Sequence, residues 1–204
     1  MELILYYMPG TRSQRVRWIL EELELDYQLK HIDLFKGEGN TPEFLSMSPL
    51  GQLPVLKVDG SAMIESGAIV QWLADNHPDK GFSPALDSPQ RREFNQWMYF
   101  SVTNLEGPAW EIMLHSNILP EASAVKEIIP FATDKLLKVL AVLDEKLNGQ
   151  SHMLDNAFSA VDIMIGYLLM WYPEHLEKFT NLKSYSQSLQ QRPAYIRSIQ
   201  NQHF

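Results

Sequence analysis

This sequence contains no cysteine, and its 17 lysine and arginine residues are outnumbered by 25 aspartate and glutamate residues. A chain without cysteine has no disulfide bonds, no zinc–thiolate sites and no thiol nucleophile of its own. The net charge of −8 also argues against the broad basic surface that a phosphate backbone requires, so we expect no nucleic-acid partner. Any sulfur chemistry must therefore use the sulfur of a bound molecule.

Long hydrophobic runs, targeting signals and metal-ligand spacings are absent as well. The most apolar stretch, residues 163–172, is too short to span a bilayer, and no basic amphipathic segment suits an anionic lipid surface. The first residues lack the basic region of a signal peptide. The six histidines show no ligand spacing, so we expect no metal site. With 45% apolar residues among 204, the composition predicts a globular protein, which we expect in the cytoplasm and without a membrane partner.

The two parts of the chain follow different hydrophobic patterns. Residues 1–79 alternate between strand and helix signals in the order βαβ–ββα, which is typical of a small thioredoxin-like domain. Residues 80–88 are rich in turn formers and predict a linker, whereas 89–204 show helical spacing throughout and predict an all-helical bundle. Pro108 and Pro130 are expected to kink or interrupt helices there. The fold class is thus an α/β part followed by an all-α part, with predicted strands at 3–7, 27–34, 54–58 and 62–64 and predicted helices around 16–23 and 66–76.

The first motif that bears on chemistry runs from Tyr6 to Val16. It places the hydroxyl groups of Thr11 and Ser13 at the junction between a predicted strand and a predicted helix. Free backbone N–H groups and the positive end of the helix dipole favour an anion at such a junction. The same hydroxyl groups also suit an ordinary helix N-cap, so both interpretations stay open.

The second motif runs from Ser48 to Leu56 and contains Pro54 at the start of a strand. Proline supplies no N–H to the sheet and can adopt the cis form. A cis peptide bond there would turn the backbone of Leu53 outward, where its N–H and C=O can pair with an extended peptide ligand. The alternative is an ordinary loop that ends in proline.

The third motif is Glu65-Ser66, at the start of a predicted helix. A carboxylate and a hydroxyl in this place can bind an α-amino and an α-carboxylate group together: Glu65 takes the ammonium, and Ser66 with the helix N-terminus takes the carboxylate. The alternative is only a favourable helix start.

In this order, the three motifs resemble those of the glutathione transferase family, and the resemblance covers essentially the whole chain. Residues 6–11 are similar to the opening of the insect delta class, in which a serine lies four residues before the helix arginine; here these positions are Thr11 and Arg15. Residues 12–15 and 18–23 are also similar to serine-type transferases of bacteria and fungi, and the chain as a whole resembles the delta and theta classes. The segment 52–56 matches the cis-proline segment of the family, and Glu65-Ser66 matches its γ-glutamyl-binding pair.

The resemblance implies a glutathione transferase that acts as a homodimer in detoxification. It would conjugate the thiolate of glutathione, its co-substrate, to small, mainly hydrophobic electrophiles, with no permanently bound cofactor. Three residues are candidates for the hydroxyl that donates to the thiolate, ranked in the order Thr11, Ser13 and Tyr6. Tyr6 occupies the position of the hydroxyl in tyrosine-type transferases. The residues expected to bind glutathione are Gln52, Leu53, Pro54, Glu65, Ser66 and Lys36, and those expected in the electrophile pocket are Tyr99, Thr103 and Trp110. Lys36 is alternatively a solvated loop lysine, and the aromatic residues are alternatively core packing.

The sequence departs from the delta pattern at Gly51, which replaces a histidine, and at Gly67, which replaces an arginine. Ser159 and Asp162 match the N-capping box of the family's helical domain, to which we assign a structural role. Two other functions remain open: a non-catalytic regulator or adaptor with this fold, and a glutathione-dependent peroxidase. Glutathione-dependent reduction or isomerisation is disfavoured, because the chain has neither a cysteine at the helix start for disulfide exchange nor the Ser-Ser-Cys run of the zeta-class isomerases.

Overall fold

The computed structural model describes residues 1–154 and 157–200, and its backbone contacts divide the chain into two compact units. One unit holds residues 1–85 together with the described residues from Gln190 onward, and the other holds residues 86–189. These units follow spatial contacts rather than sequence order, because the C-terminal helix packs on the first helix of the chain. The domain bounds predicted above, 1–79 and 89–204 with a linker over 80–88, stay a prediction.

A mixed four-stranded sheet forms the centre of the first unit. Its strands are β1 (Leu3–Tyr7), β2 (Gln28–His31), β3 (Val55–Val58) and β4 (Ser61–Ile64), in the spatial order β2-β1-β3-β4. β1 runs parallel to β2, whereas β3 is antiparallel to both β1 and β4. Asp59 and Gly60 join β3 to β4 with φ angles of 47° and 86°, as a two-residue hairpin turn requires. The predicted thioredoxin-like arrangement is confirmed.

Within residues 1–85, three α-helices accompany this sheet: α1 (Ser13–Leu23), α2 (Pro42–Leu45) and α3 (Ser66–Asp75). The sequence analysis missed α2, although a signal for it is present. Thr41 is its N-cap and accepts a hydrogen bond from the backbone N–H of Phe44 at 3.3 Å, and Pro42 is its first residue. The helix buries Phe44 beneath the sheet, beside Tyr6 and Leu53.

The second unit is helical, with α4 (Gln90–Phe100), α5 (Glu106–Met113), α6 (Ile128–Lys146), α7 (Ala160–Leu169) and α8 (Thr180–Gln190). A π-helical turn at Ser101–Leu105 joins α4 to α5, just before Pro108, whose missing N–H removes one bond of a regular α-helix. Pro130 is the third residue of α6, where a backbone N–H has no partner within the helix. The expectation that Pro130 interrupts a helix is therefore wrong. No helix in the described part of the chain is long and apolar enough to cross a membrane.

α7 is buried along its whole length, and its N-terminus carries the predicted capping box. The Asp162 carboxylate accepts hydrogen bonds from the backbone N–H of Ser159 at 2.8 Å and from the Ser159 hydroxyl at 3.0 Å. It also accepts bonds from the backbone N–H of Met153 at 3.0 Å and from the Tyr185 hydroxyl at 2.7 Å. Burial raises the pKa of Asp162, and these donors oppose the rise because they favour the charged form.

The last described helix, α9 (Pro193–Ile199), lies against α1 in the first unit. The rings of Trp18 and Tyr195 meet edge to face, with centroids 4.9 Å apart. At the start of α9, Arg192 donates two hydrogen bonds to the carboxylate of Glu22, at 2.6 and 2.8 Å. The C-terminal helix is thus fixed to the helix that follows the hydroxyl groups of the first motif.

Candidate functional site

The strand register brings the three sequence motifs to one edge of the sheet. Tyr6 of β1 pairs with Val55 of β3, and Val55 pairs in turn with Ile64 of β4. The end of β1, the start of β3 and the end of β4 therefore lie side by side. The turn that follows β1, the segment that ends in Pro54 and the start of α3 all emerge at this edge.

The hydroxyl groups of Thr11 and Ser13 lie in contact at this edge, with their oxygens 2.6 Å apart. Both are within hydrogen-bond distance of the carbonyl oxygen of Met8, at 2.7 Å from Thr11 and 3.1 Å from Ser13. Ser13 is completely buried, whereas Thr11 is partly exposed. Of the two hydroxyls, Thr11 is the one that a ligand can reach.

The helix-cap interpretation explains little of this arrangement. Arg12 occupies the N-cap position of α1 and makes no capping hydrogen bond with its side chain. The Thr11 hydroxyl oxygen lies 3.4 Å from the backbone N–H of Ser13, a long contact for a cap. Because each hydroxyl has a single hydrogen, Ser13 can donate to Met8 while Thr11 donates elsewhere. The pair can therefore present the hydrogen of Thr11 to an anion.

A buried arginine joins the first motif to the third. The guanidinium of Arg15 donates to the hydroxyl of Ser66 at 3.0 Å, and both residues are buried. Arginine stays protonated in proteins, so its charge favours a carboxylate bound at Ser66. In the sequence, Arg15 served only as a landmark for Thr11. The available signal for a functional role was a charged residue placed beside the apolar positions of a predicted helix.

Glu65 has a backbone conformation that is rare for a residue with a side chain. Its φ of 72° lies in the left-handed region, which costs about 1–3 kcal/mol for a residue other than glycine. Glu65 is the N-cap residue of α3, but its exposed side chain makes no capping hydrogen bond. A merely favourable helix start therefore does not account for the carboxylate. Strained conformations of this kind cluster at ligand-binding sites.

The segment before β3 has the expected cis peptide bond between Leu53 and Pro54. The hydroxyl of Ser48 accepts from the backbone N–H of Gln52 at 3.0 Å and donates to its carbonyl oxygen at 2.9 Å, while the side chain of Gln52 is exposed. Among the hydrogen bonds of the described residues, none uses the backbone N–H or C=O of Leu53. The sequence analysis included Ser48 in the motif but assigned it no role, whereas its hydroxyl holds this segment in place.

Comparison with known proteins agrees with this geometry. Residues 1–75 match the family described as glutathione S-transferase, N-terminal domain. The tobacco (Nicotiana tabacum) protein named glutathione S-transferase PARB is 26% identical, over 94% of this chain and 93% of its own. The structure of a glutathione transferase family member from Pseudomonas fluorescens, with two glutathione bound, is 25% identical with a TM-score of 0.86, covering 97% of this chain and 92% of its own. These matches support a member of the glutathione S-transferase family.

A further relative bears a different name. The Escherichia coli K12 protein called disulfide-bond oxidoreductase YfcG is 28% identical, over 93% of this chain and 91% of its own. Together the relatives support an enzyme of the glutathione S-transferase type, and their names do not decide between conjugation and disulfide reduction.

Gly51, where the delta class of the family has histidine, is explained by close backbone packing. Its φ is 65°, and a Cβ atom on Gly51 would lie 2.8 Å from the carbonyl oxygen of Gly39. A Cβ atom on Gly39 would in turn lie 2.6 Å from the carbonyl oxygen of Gly51. Neither glycine can be given a side chain unless the backbone moves, so this transferase has no histidine contact here.

The remaining predicted residues of the first unit have other partners in this structure. The ring of Tyr6 is buried against Phe44, with centroids 6.0 Å apart, which is the role of a core residue. Lys36 is exposed and forms an ion pair with Asp33 at 3.1 Å, which lowers the pKa of the Asp33 carboxyl. The roles of Tyr6 as a hydroxyl donor and of Lys36 as a glycyl contact stay predictions.

The predicted electrophile residues all belong to the helical unit. Tyr99 and Thr103 are exposed, and the Thr103 hydroxyl donates to the Tyr99 carbonyl oxygen at 2.8 Å. Trp110, on α5, is partly buried. Their role in an electrophile pocket stays a prediction. Within residues 1–154 and 157–200, no cluster of histidine, aspartate and glutamate side chains could hold a metal ion.

Proposed function

We propose that this protein conjugates the thiolate of glutathione to small, mainly hydrophobic electrophiles, with Thr11 as the hydrogen-bond donor to the sulfur. The observation that carries the proposal is the contact between the Thr11 and Ser13 hydroxyls at the start of α1. The Arg15–Ser66 bond and the backbone of Leu53 supply sites for the rest of the peptide at the same edge of the sheet.

Glutathione would bind as an extended peptide that pairs with the backbone of Leu53. Its α-carboxylate would lie at Ser66 and the N-terminus of α3, with the charge of Arg15 behind it. Glu65 would take the ammonium group. The side chains of Gln52 and Lys36 would serve the glycyl end, and for this Lys36 must exchange its pairing with Asp33 for the ligand. A solvent-exposed ion pair contributes little to stability, so the exchange costs little.

One hydroxyl is nearly sufficient for the activation. A thiol of the cysteine type has a pKa of about 8.5, and lowering it by about two units requires roughly 2.7 kcal/mol. A hydrogen bond to a charged acceptor stabilises by ~1.5–3 kcal/mol, and a helix N-terminus adds ~0.3–1 kcal/mol. The sulfur then attacks the electrophile and displaces its leaving group or adds to its double bond, so Thr11 acts neither as nucleophile nor as base.

The test is retention on immobilised glutathione together with aryl-halide conjugation. Thr11→Ala should lower the rate by about tenfold or more, since one charge-assisted hydrogen bond is lost. Thr133→Ala, the same change on α6, should leave the rate unchanged. If the wild-type protein is neither retained nor active, the proposed function fails. If Ser13→Ala loses activity while Thr11→Ala keeps it, Ser13 is the donor instead.

A second candidate reaction is the reduction of disulfides by glutathione, favoured by the 28% identity to the Escherichia coli oxidoreductase. The glutathione thiolate would attack a substrate disulfide, form a mixed disulfide and release one substrate thiolate. A second glutathione would then attack the mixed disulfide, release the other substrate thiolate and leave glutathione disulfide. This route needs no protein cysteine. Consumption of glutathione with a model disulfide, compared with the aryl halide and with a peroxide, separates it from conjugation and from peroxidase activity.

The family resemblance supports three further proposals: that the protein is a homodimer, that it lies in the cytoplasm and that it serves detoxification. The exposed apolar side chains of Leu50 and Ile64 in the first unit are suited to burial in a subunit contact. Light scattering during size-exclusion chromatography measures the mass. A monomer at micromolar concentration would contradict the dimer.

A further inference from the structure

We propose that Gln14 is a positioning residue for the Thr11–Ser13 turn, and that it acts by anchoring this turn to the C-terminal helix α9. The inference rests on the proposed function, in which that turn activates the thiol of glutathione. It adds a residue and a segment of the chain that have no contact with the reacting atoms.

Gln14 contacts three parts of the first unit, one through its backbone and two through its buried side chain. Its backbone N–H donates to the carbonyl oxygen of Thr11 at 3.1 Å, which closes the turn. Its side-chain oxygen accepts from the hydroxyl of Tyr7, on β1, at 3.1 Å. Its side-chain NH2 group donates to the backbone oxygen of Ser198 at 3.0 Å and to the Ser198 hydroxyl oxygen at 2.8 Å. The strand before the turn, the turn itself and α9 are thus held by one residue.

Carbonyl groups at the C-terminal end of α9 accept hydrogen bonds from side chains of α1. The last carbonyl groups of a helix have no donors within the helix, and its C-terminus favours positive charge. Gln14 donates to Ser198 O, and one turn further along α1 the guanidinium of Arg17 donates to the carbonyl oxygen of Gln200 at 2.8 Å. The Ser198 hydroxyl donates to Tyr195 O at 2.7 Å, so its oxygen is left to accept from Gln14. Buried polar groups paired in this way hold a single geometry.

This anchor bears on chemistry because a donor must be placed closely to stabilise a thiolate. A misplacement of about 1 Å at a reacting group can cost on the order of a hundredfold in rate. Gln14→Met keeps the length of the side chain and removes every polar contact to Tyr7 and Ser198. We expect kcat/KM to fall about tenfold or more, the pKa of bound glutathione to rise, and KM for glutathione to change little.

The experiment compares four variants with the wild type, by the pH dependence of kcat/KM and by ultraviolet titration of the bound thiolate. Gln14→Met and Ser198→Ala should raise the thiol pKa, and Ser198→Thr, which keeps the hydroxyl, should restore it. Arg192→Met is the matched control, because it removes the ion pair with Glu22 at the other end of α9 and leaves the anchor intact. A wild-type pKa in Gln14→Met, or an equal shift in Arg192→Met, overturns the proposal.

Amide hydrogen exchange keeps this proposal separate from the proposed function. In Gln14→Met the amides of Gln14 and Arg15, which donate to Thr11 O and Arg12 O, should exchange faster than in Arg192→Met. If the wild type forms no thiolate with glutathione, the proposed function fails, and exchange still decides whether Gln14 anchors the turn. Unchanged exchange overturns the anchor. If Gln14→Met does not fold, Ser198→Ala decides by the same measurements.

Discussion

Replacing Asp162 with asparagine keeps the size of the side chain but removes its charge and turns one of its oxygens into an NH2 group. Each carboxylate oxygen now accepts two hydrogen bonds: Oδ1 from Met153 N–H and the Tyr185 hydroxyl, and Oδ2 from the backbone N–H and hydroxyl of Ser159. Whichever oxygen is replaced, two donors at the buried start of α7 will face another donor.

The expected cost follows from these contacts. A buried donor left without an acceptor costs ~1–3 kcal/mol, so two of them cost roughly 2–6 kcal/mol. The hydroxyls can rotate towards other acceptors, but the backbone N–H groups cannot. We therefore expect Asp162→Asn to lower the free energy of unfolding by about 3 kcal/mol. A domain has a free energy of unfolding of about 5–15 kcal/mol, so this single change removes a large part of it.

Urea denaturation followed by circular dichroism measures this loss. Tyr185→Phe removes one donor and leaves the carboxylate with its other partners, so it should cost only about 1 kcal/mol. Asp144→Asn is the matched control: Asp144 accepts from Leu182 N–H at 2.9 Å near the start of α8 but is partly exposed, and its loss should cost ~1 kcal/mol. If Asp162→Asn costs no more than Asp144→Asn, the buried network does not have the role argued for it.

Two further changes test the first unit. Burial raises the pKa of Tyr27 to about 12, and its hydrogen bond to Glu21 adds to the rise. The unfolded chain releases this proton near pH ~10. The folded state therefore has extra stability below pH ~10 that is lost as the pH rises towards about 12, and alkaline urea titration of Tyr27→Phe should lack this component. Gly51→Ala should lower the free energy of unfolding by roughly 1–3 kcal/mol through strain at positive φ, plus a clash with Gly39. Gly149→Ala has similar strain at φ 73° with nothing within 4 Å of the new Cβ atom, so an equal loss in both variants would refute the clash.

Features set by local sequence were predictable. β1 follows from a short apolar run that ends in Pro9-Gly10, and the capping box at Ser159 from a fixed three-residue spacing. β2 was predicted too long, over 27–34, because alternation alone does not show where pairing stops. Only Gln28–His31 pairs with β1, since β1 itself ends at Tyr7.

The features that sequence reasoning missed depend on distant parts of the chain. Gln14 and Ser198 are 184 positions apart, and no local pattern links a glutamine at the start of one helix to a serine at the end of another. The φ of Glu65 is likewise imposed by the surrounding fold, because the local sequence offers no glycine to favour it. By contrast, α2 could have been predicted from the sequence, since Thr41-Pro42 is an N-cap followed by proline at the first helical position.

Because the chain has no cysteine, both candidate reactions begin with the sulfur atom of a bound glutathione. Conjugation and disulfide reduction each begin with the glutathione thiolate that Thr11 would stabilise, and they differ only in what that thiolate attacks and in the need for a second glutathione. Loss of the Thr11 hydroxyl should then lower both rates by a similar factor, because the shared first anion is destabilised equally. A variant that impaired only the second glutathione would slow reduction and leave conjugation intact. The ratio of the two rates, rather than either rate alone, therefore separates the role of the Thr11–Ser13 pair from the demands of the particular reaction.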